Sequence, residues 1–428
     1  MSKSFLYFIC TISAMGGLLF GYDWVVIGGA KPFYELFFGI SDSPLMQGVA
    51  MTTALVGCLV GAMVAGVMAD RFGRKPLLTM SAVLFTVSAV ATGAFNDFTM
   101  FNVARFIGGV GIGVASALAP MYIAEVSPAE TRGRMVSLNQ MAIVIGILAA
   151  QVVNMLLARD TSDAISQVWN VEWGWRWMFW AEALPAGLFL AMSFFIPESP
   201  VYLRLCEERR DGTMTSGESG TGDTGLMSLF SGSYTDVMIL GLVIAVFQQW
   251  CGTNVIFNYA QEIFTGAGFD VDSMFINIVI TGIANVVFTF VALYTVEKWG
   301  RRTLMLIGAC GLGLIYLTLG TFYALHVTGL VMVVLVVMAI SCYAMTLGPV
   351  TWVLLAEIFP NSIRGTAMSV CTFALWTGCC TLTFSFPSMN SFLGSSGTFW
   401  IYGVICLSAF LFLFRRCPET KGKELKEC

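Results

Sequence analysis

The sequence predicts an all-α membrane protein with twelve transmembrane helices in two parallel six-helix bundles. First, 57% of the 428 residues are hydrophobic and only 11% are charged, whereas soluble domains carry about 25% charged residues. Second, apolar runs of about 20 residues, the length that crosses a bilayer, follow one another along the chain. Third, three charged motifs occur once in each half. Soluble enzymes, nucleic-acid-binding proteins and disordered scaffolds are therefore excluded.

Twelve apolar stretches are bounded by charged residues or by Pro and Gly. The predicted spans are 5–30, 46–69, 77–94, 100–125, 134–158, 175–196, 236–262, 273–296, 303–325, 329–357, 366–386 and 397–415. The first run is too long for a signal peptide and contains Asp23, so we expect it to be retained. The predicted domains are an N-terminal bundle (1–200), a cytoplasmic linker (201–235) and a C-terminal bundle with a short tail (236–428).

The basic residues predict the orientation of the chain. With both termini in the cytoplasm, 18 of the 22 Lys and Arg residues fall on the inner side, as the positive-inside rule requires. The exceptions are Lys31, Arg159 and Arg176 on the outer side and Arg105 at the mouth of the fourth span. The linker segment 211–225 is rich in Gly, Ser and Thr, which predicts flexibility. The absence of an Asn-x-Ser/Thr sequon favours a bacterial inner membrane over an animal cell surface.

The three repeated motifs lie at predicted cytoplasmic helix ends, at offsets of 227, 232 and 221 residues. They bring carboxylates and guanidinium groups together, which can form bidentate ion pairs. We expect them to act as an inner gate that holds the bundles together when the protein opens outward. The alternative is that the arginines serve only as topology anchors. The gate candidates are Asp70, Arg71, Arg74, Glu125, Arg132 and Glu198 in the first half, and Arg301, Glu357, Arg364 and Glu419 in the second.

Polar side chains inside the spans are costly and indicate function. On the fifth span, one helix face presents amides interrupted by apolar residues. Its members follow one another at steps of three or four residues: Gln140, Ile143, Ile147, Gln151 and Asn154. On the seventh, Asn254, Asn258 and Gln261 form a similar stripe. Gln248 falls about 120° away from Asn254 on a regular helix, so we predict a break at 251–253 that brings Gln248, Gln249 and Asn254 together. Neutral amides suit hydroxyl groups better than ionic solutes, although each amide could instead join neighbouring helices.

The chain resembles the sugar porter family of the major facilitator superfamily over essentially its whole length. The resemblance is carried by Gly21-Tyr22-Asp23, Pro120-Met121-Tyr122-Ile123-Ala124-Glu125, Pro197-Glu198-Ser199-Pro200, Gln248-Gln249, Gly348-Pro349-Val350-Thr351-Trp352 and Pro418-Glu419-Thr420-Lys421-Gly422. It implies the major facilitator fold and monosaccharide transport by alternating access, with no cofactor. It also implies the sugar contacts Gln140, Gln248, Gln249, Asn254, Asn285, Trp352 and Trp376.

The sequence departs from the family in three respects. Ile147, Asn258 and Leu375 replace the Gln, Tyr and Gln of a pentose-transporting member, so both a pentose and a hexose remain open as substrates. The central cytoplasmic linker is shorter than is usual in the family. Val201 replaces the Arg expected after Pro197-Glu198-Ser199-Pro200.

Three ionisable residues inside the spans suggest coupling to protons. Asp23 lies in the middle of the first span, Arg105 begins the fourth and Glu182 lies in the sixth. An ion pair with Arg105 would offset the cost of an ionised Asp23, and protonation would release Arg105, with Glu182 tuning the exchange. The resemblance implies the same role, because Asp at this position marks proton symporters. The alternative is a static ion pair that fixes helix packing.

These observations predict a sugar:proton symporter that works as a monomer in a lipid bilayer. A proton-independent uniporter and a non-transporting sugar sensor remain alternatives. A membrane enzyme is disfavoured because no acid–base pair or metal cluster is expected to face the proposed sugar cavity. The twelve scattered Cys predict apolar packing rather than disulfides or a metal site. The single histidine, His326, lies at the outer end of the ninth span and excludes a histidine-rich metal site.

Overall fold

The computed structural model describes residues 3–128, 131–159, 164–210, 234–360 and 364–420, and these residues form helices without a strand. The predicted flexible segment 211–225 lies outside the described residues. The helices are α1 Lys3–Phe38, α2 Pro44–Phe72, α3 Arg74–Ala94, α4 Phe98–Val126, α5 Arg132–Leu157, α6 Ala164–Trp169, a π-helical turn Asn170–Gly174, α7 Trp175–Trp180, α8 Ala183–Ser193, α9 Pro200–Arg210, α10 Thr235–Trp250, α11 Thr253–Asn258, α12 Ala260–Gly266, α13 Val271–Trp299, α14 Arg301–Ala324, α15 Leu330–Met345, α16 Leu347–Ile358 and α17 Arg364–Arg416.

Ten helices in the described part of the chain are long and apolar enough to cross a membrane. The ten helices correspond to the twelve predicted spans with two differences. The sixth is divided into α7 and α8, each too short to cross alone. The eleventh and twelfth together form the 53-residue α17, which changes direction at Gly394, where φ is 68°. The chain is therefore a multi-pass membrane protein.

The first helix extends further than predicted. The sequence predicts that the first span ends at residue 30, but α1 continues through Pro32 to Phe38. Lys31 is consequently part of the helix and only 2% exposed. Its ammonium group lies 3.0 Å from the carboxylate of Glu35, one turn further along. Because each charge is neutralised by the other, a lysine can be buried at this position.

The helices form two compact units. Unit 1 comprises Met1–Asp211 together with Phe257–Gln261 and Asp270–Gly282, and unit 2 comprises Gly212–Ile256, Glu262–Phe269 and Ile283–Cys428. Unit 1 therefore includes two short pieces of the predicted C-terminal bundle. Within unit 1, α2 and α3 pack on α4, and α1 packs on α5. Within unit 2, α10 and α14 pack on α17.

Large apolar side chains on the outer surfaces of both units are exposed. Leu184 on α8 is 82% exposed and Phe392 on α17 is 89% exposed. In water, extensive exposure of this kind would favour aggregation, whereas in hydrocarbon it costs nothing. Asp23, Arg105 and the amides of Gln248, Gln249 and Asn254 are instead buried, as expected for functional groups inside a membrane protein.

Candidate functional site

The seventh predicted span is interrupted at the place the sequence predicts. Helix α10 ends at Trp250, α11 begins at Thr253, and Gly252 between them has φ of 86°. Only glycine adopts this conformation without strain. The interruption removes the regular 100° step between residues, so side chains that a continuous helix would separate can approach one another.

Three amides of the predicted sugar site meet at this interruption. The Nε2 group of Gln249 donates a hydrogen bond of 2.5 Å to Oε1 of Gln248, and Asn254 Nδ2 donates to Oε1 of Gln249. Gln248 in turn donates a 2.7 Å hydrogen bond to the hydroxyl of Tyr343. All three amides are at most 9% exposed. The arrangement forms a chain of donors and acceptors that can exchange partners with hydroxyl groups.

The other predicted sugar contacts lie on separate helices. Gln140 is half-buried on α5, and Asn285 is buried on α13. Trp376 is 6% exposed on α17, whereas Trp352 on α16 is 39% exposed.

Asp23 and Arg105 form a buried ion pair. Arg105 Nη1 donates a short hydrogen bond to Asp23 Oδ1, and Nη2 lies 3.4 Å from the carbonyl oxygen of Asp23. Each residue is 2% exposed. The guanidinium group also lies 5.4 Å from the centre of the Phe179 ring, a cation–π contact. Helices α1, α4 and α7 therefore meet at this charge pair.

Glu182 belongs to the same cluster. It lies at the break between α7 and α8, is 2% exposed, and interacts electrostatically with both Asp23 and Arg105. Two carboxyl groups thus share one guanidinium group in a region without solvent. Because burial of an unpaired charge is costly, the cluster accommodates one negative charge more easily than two. It is therefore chemically suited to take up and release a proton.

The first copy of the charged motifs forms a network at the start of α3. Arg74 Nε lies 3.1 Å from Glu125 Oε2, and Ser199 donates a short hydrogen bond to the same oxygen. Glu198 accepts hydrogen bonds from the backbone N–H groups of Arg74, at 2.9 Å, and Lys75, at 3.2 Å. A carboxylate at this position satisfies the free N–H groups of the helix terminus and interacts favourably with the helix dipole.

The second copy repeats this network at the start of α14. Arg301 Nη2 lies 3.0 Å from Glu357 Oε1, and the hydroxyl of Thr420 donates to the other oxygen of Glu357. Glu419 accepts hydrogen bonds from the backbone N–H groups of Arg301, at 3.0 Å, and Arg302, at 3.2 Å. Each network lies within one unit: the first in unit 1 and the second in unit 2.

Glycine precedes both capped helices. Gly73 has φ of 97° and Gly300 has φ of 85°. A β-carbon at either position would also collide with the capping carboxylate, Glu198 or Glu419. The glycine before each arginine is therefore needed, because it lets the capping carboxylate approach the backbone at the start of the helix.

The remaining gate candidates are only partly described. Arg71 is exposed and lies 5.3 Å from the ring of Phe72, and its carbonyl oxygen accepts a hydrogen bond from Tyr202. The side chains of Asp70, Arg132 and Arg364 lie outside the described part of the chain.

Sequence reasoning missed three hydrogen-bonding residues. Tyr343 is 95 residues from Gln248, and no local pattern in the sequence connects the two. Ser199 and Thr420 could have been found, because a hydroxyl residue follows the glutamate in both copies of the Pro-Glu motif. A group of three or more metal-ligating side chains is absent from the described residues.

Comparisons with known proteins agree with this arrangement. The sequence matches the family described as "Sugar (and other) transporter" over residues 9–428. The chain belongs to this family. It is 37% identical to the D-xylose-proton symporter of Escherichia coli strain K12, covering 100% of this chain and 95% of the relative. It is 33% identical to the arabinose-proton symporter of Bacillus subtilis strain 168, with the same coverage.

The fold is likewise that of a solved relative. An inward-open structure of the xylose transporter from E. coli aligns with a TM-score of 0.84 at 35% identity, covering 99% of this chain and 98% of that one. The predicted fold class, the major facilitator fold, is therefore confirmed. The predicted membership in the sugar porter family is confirmed as well.

Proposed function

We propose that this sugar porter moves a neutral monosaccharide across the membrane together with a proton, by alternating access. The observation that carries the proposal is the buried Asp23–Arg105 pair, in a chain whose relatives include xylose–proton and arabinose–proton symporters. An ionised Asp23 holds Arg105, and a protonated Asp23 releases it. Glu182 beside them favours the state in which only one of the two carboxyl groups is ionised.

The sugar is bound in this proposal by hydrogen-bonding amides and flat aromatic faces. Gln248, Gln249 and Asn254 provide the linked donors and acceptors. The proposed further contacts are Gln140, Asn285, Trp352 and Trp376. Neutral amides bind hydroxyl groups of the substrate without introducing a charge, which agrees with a pentose or hexose and disfavours a sugar phosphate or carboxylate.

The two charged networks stabilise one state of the transport cycle. The ion pairs Arg74–Glu125 and Arg301–Glu357 fix the ends of α3 and α14, and their release would accompany the change of state. Asp70, Arg71, Arg132 and Arg364 complete this proposed inner gate. We further propose a monomer in a bacterial inner membrane with both termini in the cytoplasm.

Replacement of Asp23 tests the proton coupling. A membrane potential of about 100 mV supplies about 2.3 kcal/mol per proton, enough for roughly fifty-fold accumulation of sugar. We expect the protein in proteoliposomes to accumulate labelled sugar under an inward proton gradient. The Asp23→Asn variant, which cannot exchange a proton at this position, should equilibrate the sugar without accumulating it.

Three results would contradict parts of the proposal. Accumulation by Asp23→Asn would show that the proton is carried elsewhere. Equilibration alone by the unmodified protein would make it a uniporter, and sugar binding without flux would make it a sensor. As a control, Arg416→Gln removes only a highly exposed charge that pairs with Asp236 and should accumulate sugar normally.

A further inference from the structure

Gln151 on α5 is a buried amide that the sugar contacts above do not include. It is 1% exposed, and neither its Nε2 nor its Oε1 atom has a hydrogen-bond partner among the described residues. Buried amides in native proteins are almost always hydrogen-bonded, because a buried group without a partner is destabilising. An unpartnered glutamine inside a transporter therefore indicates a position that a ligand can satisfy.

The side chain of Gln151 lies close to the backbone of Gly282 on α13. A β-carbon at Gly282 on α13 would collide with Oε1 of Gln151 and lie 3.1 Å from Leu148 Cδ1. Gly282 and Gln151 belong to the same unit. Because Gly282 has no β-carbon, the amide of Gln151 fits beside it. A larger residue at position 282 would displace the amide.

Gln151 shares a face of α5 with the proposed sugar contact Gln140. Helix α5 is continuous from Arg132 to Leu157, so eleven residues bring Gln151 to within about 20° of Gln140 and about 16 Å further along the axis. Ile143 and Ile147 lie between them on the same side. The face is therefore polar at its two ends and apolar in the middle.

This pattern matches the chemistry of a sugar with a terminal arm. A pyranose ring presents C–H groups that suit apolar side chains, and hydroxyl groups at its edges that suit amides. A hexopyranose such as glucose also carries an exocyclic hydroxymethyl group, which xylose lacks. An amide one turn beyond Ile147 offers both a donor and an acceptor for this additional hydroxyl.

We propose that Gln151 is a specificity-determining residue that binds the exocyclic hydroxymethyl group of a hexose. The inference rests on the proposed function, since it assumes that the transported molecule is a monosaccharide. It names a hexose as the preferred substrate class, whereas the amide cluster of α10 and α11 leaves pentose and hexose open.

The test compares glucose with xylose, because the two differ only in this group. We expect Gln151→Met to raise the KM for glucose uptake about threefold to tenfold, the effect of one hydrogen bond. The KM for xylose should change less than twofold. Gly282→Ala, which displaces the amide without removing it, should produce the same selective loss. Gln167→Met, on an exposed position of α6, is the matched control and should change neither KM.

Stability distinguishes recognition from packing. Methionine fills a similar volume and removes an unpartnered amide, so the sugar-free Gln151→Met protein should unfold at the same temperature as the unmodified protein or higher. Its stabilisation by added glucose should shrink, while that by xylose stays the same. Equal losses for both sugars together with a lower unfolding temperature would show that Gln151 only supports packing. An unchanged KM for glucose would also overturn the proposal.

Failure of the proposed function gives a different result. If the unmodified protein equilibrates sugar without proton coupling, the two KM values still test Gln151. If it binds glucose without flux, sugar-dependent stabilisation tests Gln151 in the same way. If the unmodified protein neither transports nor binds either sugar, the proposed function and this inference both fail.

Discussion

Asp23 and Arg105 illustrate what a single pair of residues contributes at the residue scale. A carboxylate alone at the centre of a bilayer costs about 2.5–3.5 kcal/mol on insertion scales, and the guanidinium of Arg105 offsets this cost. The pair joins α1 to α4, so it serves packing as well as the proposed coupling. These two roles respond differently to mutation and can therefore be separated.

We predict that Arg105→Met lowers the free energy of unfolding by about 3–5 kcal/mol, because the carboxylate of Asp23 is left buried without its countercharge. The double variant Asp23→Asn/Arg105→Met removes both charges and should recover most of the loss. Thermal unfolding in detergent measures both. Arg416→Met breaks the exposed pair with Asp236, so it should cost only about 0–1 kcal/mol. Equal destabilisation by the single and double variants would contradict a mutually dependent pair.

At the scale of the helix, the two capped termini show how a short motif acts through the backbone. Glu198 and Glu419 each accept two consecutive backbone N–H groups at the start of α3 and α14. The motifs that supply these carboxylates are more than 100 residues away from the helices they cap. The sequence repeat indicates that the motifs belong together, but the structure shows which atoms meet.

We predict that Glu198→Gln and Glu419→Gln each lower the free energy of unfolding by about 1 kcal/mol, because a neutral amide accepts fewer hydrogen bonds and loses the favourable interaction with the helix dipole. The two losses should be similar, since the two networks are equivalent. Chemical unfolding of the detergent-solubilised protein measures them. Glu207→Gln, an exposed position on α9, is the control, and an equal loss there would rule out a capping effect.

At the scale of the whole molecule, the main prediction concerns orientation in the membrane. The distribution of basic residues predicts that both termini lie in the cytoplasm. Cys206 on α9 is partly exposed and follows the sixth span, so it should face the cytoplasm. Cys417, just beyond the end of α17, is 3% exposed, and burial raises the pKa of its thiol to about 11.

We predict that a membrane-impermeant maleimide labels Cys206 in inverted vesicles and not in intact cells. Cys428 is replaced by serine so that its label does not interfere. Cys417 should stay unlabelled at pH 7, because the thiolate is the reactive form and a raised pKa keeps the thiol protonated. Cys206→Ser in the same background is the control that assigns the label. Labelling of Cys206 from outside would reverse the proposed topology.

The amino-acid sequence by itself determines the fold class, because the bilayer thickness sets the length of each apolar run and the repeated motifs divide the runs into two equivalent halves. The repeat of charged motifs, the break near Gly252 and the pairing of Asp23 with Arg105 were also predictable. For Asp23 and for the amides near Gly252, the physical reason is that a residue type that is costly in a membrane needs a nearby partner. The predicted end of the first span at residue 30 was wrong because a lysine in an apolar run normally indicates a helix boundary. Glu35, one turn away, neutralises Lys31 and allows α1 to continue.

Only the tertiary structure decides which distant side chains meet. The contact of Gln248 with Tyr343, the capping of α3 and α14 by carboxylates from remote motifs, and the collision between a β-carbon at Gly282 and Gln151 all depend on how separate helices pack. Helical periodicity specifies which face of a helix a residue occupies. It does not specify which neighbouring helix lies opposite that face, because apolar helices can pack against one another in many combinations.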